Sequence, residues 1–134
     1  MNKLENLILD LAKANKALKQ ATKLSPTRIN KDASIQRFEF TFELCWKTMQ
    51  EYIRDQGFDC KSPKSCVRKA ATLDLLKDPE NWLEFLQARN LIAHTYNEEL
   101  ADSVYKKAVE FPKEVDKLLK ELESMIKKSG ELPL

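Results

Sequence analysis

Two glycines in 134 residues leave this chain without a glycine-rich loop of any kind. Neither GxGxxG nor a GxxxxGK run occurs, so phosphate cradles of the dinucleotide-binding or P-loop type have no basis. Histidine is rarer still: His94 stands alone, and with Cys45 set in an apolar helical stripe it leaves Cys60 and Cys66 too few further ligands for a structural zinc site. Cys60 and Cys66 bracket "CKSPKSC", a gap that matches no usual zinc spacing, and a disulfide between them stays open. No metal and no cofactor are expected. Apolar runs of membrane-spanning length are missing. The start, "MNKLENLILDLAKANK", is charged throughout and has neither a signal-peptide core nor a cleavage pattern. The expectation is a cytoplasmic protein with no membrane partner. An excess of one charge is also absent, since 23 basic residues face 21 acidic ones. Bulk electrostatic capture of a nucleic acid is therefore unsupported, and only a local basic patch remains open.

What is present is helical periodicity over a length that suits one domain, residues 1–134, with a core of ordinary size. Residues 2–23 place Leu4, Leu7, Ile8, Leu11, Leu18 and Ala21 on one side, and Pro26 ends the segment. Asn30 or Asp32 is the expected cap of a second helix, whose apolar stripe is Ile35, Phe38, Phe42, Cys45, Met49 and Tyr52. Glu39, Glu43, Lys47, Gln50 and Arg54 fall largely away from that face, and Phe40 also leaves it, toward a second subunit. Gly57 supplies a left-handed stop. Ser62 with Pro63, and Asp78 with Pro79, each read as a cap followed by a proline in the first helical position. The last segment, Glu98 to Lys128, keeps its phase through Pro112, as one helix or two nearly continuous ones, and "SGELPL" reads as a frayed tail. Strand alternation is lacking. Short connections between long helices predict an all-α, up-and-down antiparallel bundle of four to five helices.

The chemically suggestive stretch is "ARNLIAHTYNEE", 88–99, expected on the fourth helix. On a wheel advancing about 100° per residue, Arg89 falls inside an apolar arc with Trp82, Leu86 and Ala93. A guanidinium there must pair, reach the bundle edge or face a partner chain. Taken singly, these residues read as ordinary: a salt-bridged Arg89, a helix-end His94, a surface Asn90, a core-edge Tyr96. Together they suit phosphate chemistry. Histidine moves a proton near neutral pH, arginine offers a planar fork to phosphate oxygens, and Asn90 can orient His94 or the substrate. Glu98 and Glu99 suit the start of the last helix, where carboxylates complement the dipole.

"RFEFTFELCWK" (37–47) and "RNLIAHTYNEEL" (89–100) resemble the nucleotidyltransferase substrate-binding proteins, a branch of the HEPN superfamily of small helical domains. The resemblance covers nearly the whole chain, including the Ser62–Pro63 restart. It implies a helical bundle that dimerises with the R-N-x-x-x-H helices facing each other. It implies as partner a separately encoded small nucleotidyltransferase of the MNT type. Many HEPN proteins are metal-independent RNases, often toxins neutralised by that partner, which in some pairs adds AMP to the motif tyrosine. Carried over, Arg89 and His94 would be the RNase pair, Asn90 would support them, and Tyr96 would be the modification target. Three readings stand: a partner subunit with latent RNase activity, a module that only presents substrate, and a non-catalytic structural bundle. A homodimer also has a physical motive. RNA cleavage commonly uses separate acid and base groups, and a two-fold axis would bring a second His94 to the chain's only one.

Overall fold

The computed structural model describes residues 2–130, of which Ser129 and Gly130 only as backbone. Five helices follow one another: α1 (Lys3–Thr22), α2 (Arg28–Asp55), α3 (Pro63–Thr72), α4 (Pro79–Asn90) and α5 (Glu98–Gly130), with a 3₁₀ turn at Ile92–His94 before α5. No strand occurs among the described residues. The long helices α1, α2 and α5 pack against one another, while α3 and α4 lie on α2 and against each other, and α4 also packs on α5.

The three long helices carry heptad spacing, which suits near-parallel packing of long seams. On α1 it is Leu4, Leu11 and Leu18; on α5, Ala101, Ala108, Val115 and Leu122 alternate with Val104, Phe111 and Leu118, all buried. On α2, buried Ser34, Thr41 and Thr48 repeat every seven residues, and each hydroxyl donates to the carbonyl four residues earlier. Small residues with satisfied hydroxyls can sit in a tight seam at no orphan-polar cost. The single Asn15 in the interior donates to the Pro112 carbonyl (3.3 Å) and to Asp116 (3.0 Å), clamping α1 to α5. The chain stays helical through Pro112, with buried Phe111 and Val115 on either side, so α5 is one helix.

The caps follow local chemistry. Ser62 forms a reciprocal capping box with Ser65, Asp78 accepts from the Asn81 amide, and Pro63 and Pro79 open their helices. Gly57, at φ 89°, ends α2: its amide bonds the Arg54 carbonyl and that of Phe58 reaches Ile53. α2 begins earlier than expected. Thr27, not Asn30 or Asp32, is its N-cap and accepts from the Asn30 amide. The other two are engaged: Asn30 Nδ2 donates to the Ser25 carbonyl, and Asp32 pairs with Arg28. At the other end, α5 includes Ser129 and Gly130, which were expected in a frayed tail, and the remainder of that tail lies outside the described residues. Cys60 and Cys66 are joined as a disulfide across the α2–α3 connection, and Cys45 is a buried free thiol whose pKa burial pushes up.

Five aromatic rings make the centre. Phe111 stands 5.1 Å from Phe38, 6.0 Å from Phe42, 5.3 Å from Trp82 and 4.7 Å from Phe85, ring centre to ring centre. This cluster fixes α4 against α2 and α5, and so sets where the end of α4 emerges.

Candidate functional site

The helix does not carry the whole motif. α4 stops at Asn90, Leu91 closes it by bonding the Gln87 and Ala88 carbonyls, and the chain tightens into the 3₁₀ turn. The His94 amide bonds the Leu91 carbonyl, and Thr95 donates through both its amide and its hydroxyl to Ile92. Asn97 then starts α5, its side chain accepting from the amides of Glu99 (3.0 Å) and Leu100 (3.2 Å). A helix that starts at Glu98 with an Asn97 cap requires an interruption before it. Helical phase through residue 99 and a new helix at 98 were incompatible expectations, and the cap prevails.

The interruption separates the motif residues. Arg89 is half-buried on the last turn of α4. Its Nη2 pairs with Glu43 of α2, and its Nη1 donates to Asn90 Oδ1 at 3.1 Å. Glu43 in turn accepts at 3.0 Å from the Trp46 indole, so both its oxygens are engaged. The arginine expected inside an apolar arc is thus held at the bundle edge by a carboxylate 46 positions earlier. Asn90 is exposed and serves Arg89; among the described residues no hydrogen bond links it to His94. His94 is exposed on the turn, edge-on to Tyr96 with ring centres 6.2 Å apart. Tyr96, expected at the core edge if structural, is 85% exposed.

Two residues of α2 that the sequence does not tie to the motif belong to its surroundings. One is Glu43, whose place in "FEFTFE" offered the only signal. The other is Arg28, which fastens the turn by donating to the Thr95 carbonyl at 3.0 Å while paired with Asp32 at 3.3 Å. Nearby on α2, Ile29 (80%) and Phe40 (55%) expose apolar side chains. The exposure of Phe40 matches its position off the core stripe.

The arrangement therefore offers a fixed guanidinium, an amide bound to it and an imidazole open to solvent. A guanidinium can bind phosphate oxygens, and an accessible imidazole can shuttle protons. No group of three His, Cys, Asp or Glu side chains among the described residues is placed to hold a metal ion. No described helix is long and apolar enough to cross a membrane.

Comparison with known proteins supplies the family. Residues 2–124 match the family described as nucleotidyltransferase substrate binding protein like. A Haemophilus influenzae protein named probable ribonuclease HepT is 33% identical over 94 residues, 66% of this chain; the match spans 64% of that relative's length. A solved structure from Thermus thermophilus superposes with a TM-score of 0.80 at 36% identity, covering 84% of this chain and 98% of that one. A second, from Haemophilus influenzae, gives 0.74 at 27% identity, covering 87% and 98%. It is described as revealing the fold of a substrate binding domain of a nucleotidyltransferase. The chain belongs to the nucleotidyltransferase substrate-binding protein family.

Proposed function

We propose that this family member is the partner subunit of a separately encoded minimal nucleotidyltransferase, and that it carries a metal-independent RNase site of the toxin type. The observation that carries the RNase half is a pre-positioned Arg89 on the last turn of α4 followed by an exposed His94 on the adjoining 3₁₀ turn. RNA brings its own nucleophile, the 2′-hydroxyl. Cleavage needs a base for that proton, an acid for the leaving 5′-oxygen and positive charge on the phosphorane. In this reading Arg89 supplies the charge, Asn90 keeps the guanidinium aligned, and two copies of His94 serve as base and acid. The two copies come from a homodimer. Exposed Ile29 and Phe40, which fall on one side of α2, support a contact between protomers there. Tyr96, with its ring in solvent, is the residue a nucleotidyltransferase would modify, beside His94 and so able to block it. The setting is the cytoplasm, and residues 1–134 act as one domain around a continuous core.

The alternative is a module that presents substrate to the nucleotidyltransferase and does no chemistry, favoured by the description of the Haemophilus influenzae structure. Incubation of purified protein with RNA in EDTA separates the two. Cleavage that falls about 10²–10⁴-fold in His94→Ala supports the RNase site. RNA left intact by wild type, with a nucleotidyltransferase still captured, leaves the presenting module.

A further inference from the structure

The motif turn and the first half of α2 enclose an open recess of about 360 Å³. Ile35, Ile92, Gln36, Glu39 and Tyr96 line it, together with Arg28 and its partner Asp32. Resting on the RNase reading above, we propose that this recess is a nucleobase subsite selecting guanine next to the scissile phosphate.

Glu39 is the recess's uncommitted acid. It is half-buried, it lines the recess, and among the described residues its carboxylate has no hydrogen bond or ion pair. The carboxylates around it are committed: Asp32 to Arg28, and Glu43 to Arg89 and Trp46. Its oxygens are not sealed from solvent, so a donor that enters the recess can reach them. Glu39 precedes Glu43 by four residues on one helix, hence by about 6 Å along its axis and on the same side. A phosphate on Arg89 therefore leaves its base within reach of Glu39. Single-stranded bases are read on their Watson–Crick edges and stacked on aromatic rings. The Tyr96 ring provides the stacking face, and Ile92 and Ile35 provide apolar contact. Of the four RNA bases only guanine presents two adjacent donors, its ring N1–H and exocyclic amino group, to a single carboxylate. Adenine and cytosine offer one exocyclic amino group each, and uracil one ring N–H. Gln36 can donate its amide to the guanine carbonyl.

The test is binding of the 3′-monophosphates of guanosine, adenosine, cytidine and uridine to the full chain, followed by NMR titration. Guanosine should bind about tenfold or more tighter than the others. Glu39→Gln should erase that preference at unchanged melting temperature, while Glu39→Asp should retain part of it. Equal affinity for all four, a preference that survives Glu39→Gln, or no binding overturns the subsite. A second arm uses RNA with one guanosine, in EDTA. Cleavage there in wild type and scattered cleavage in Glu39→Gln support the proposal. Selective binding without cleavage supports the subsite and sinks the RNase reading alone.

Discussion

The rings that α4 gives to the cluster around Phe111 and the turn that follows α4 lie a few residues apart in the chain, yet they follow opposite rules. Phe85 is fully buried and Trp82 nearly so, and both pack on Phe111 in T-shaped contacts. Arg89, Asn90 and His94 continue the same stretch of sequence, but the helix ends among them: Arg89 stays half-buried against Glu43, while Asn90 and His94 turn to solvent. The cluster is redundant: five rings hold one another, and each contact is apolar and undirected. The turn is singular. It hangs on a few directed bonds: Arg28 to Thr95, Asn97 to the start of α5, and Glu43 to Arg89. A site that must meet substrate can be exposed because the cluster behind it fixes the backbone from which it springs.

The comparison breaks most visibly at its rigid side. Phe111→Ala should destabilise the fold by about 3–5 kcal/mol, because it empties the point where five rings meet. Chemical denaturation measures it, and a loss under about 1 kcal/mol would mean that the cluster is not what fixes α4. His94→Ala probes the other side. It should leave stability within about 0.5 kcal/mol, as exposed substitutions do, while RNA cleavage falls as stated above. A large stability loss would make His94 a structural residue. Asn97→Ala sits on the border. It removes the cap of α5 and should cost about 1 kcal/mol, with faster amide exchange at residues 91–97 than at Phe85. Equal protection of both segments would erase the distinction between them.

The smallest effect lies at the far end of α2. Tyr52 donates to the Met125 sulfur at 2.8 Å, and burial, then the Glu121 charge, raises its pKa. The neutral phenol is favoured in the fold. Its contribution is therefore complete below the unfolded tyrosine pKa of about 10, and is lost as pH rises through the higher folded value. Tyr52→Phe should flatten that alkaline limb, measured by denaturation from about pH 9 to 12, without touching the turn.

Much of the architecture was legible in the residues because it is local or periodic. The stripes of α1, α2 and α5, the Ser62–Pro63 and Asp78–Pro79 starts, and the Gly57 stop depend on neighbours within a few positions. Thr27 was legible too, directly after Pro26, but Asn30 and Asp32 are the same kind of capping residue and nothing local ranked the three. The resemblance of "RNLIAHTYNEEL" to its family likewise depends only on order along the chain, and the family match over residues 2–124 agrees with it. Tertiary structure decided the rest. Wheel geometry placed Arg89 among apolar residues, but its actual partner, Glu43, is 46 positions away on a face that looked solvated. Periodicity ran on past Asn90, because apolar spacing persists through a 3₁₀ turn as readily as through a helix. Where α4 ends is set by Asn97 capping α5 and by Arg28 holding the Thr95 carbonyl. The Asn97 cap is local but competes with a helical phase that runs past it, and the Arg28 bond joins segments that meet only when the bundle has closed, which is why order along the chain names the motif residues but not the arrangement they take.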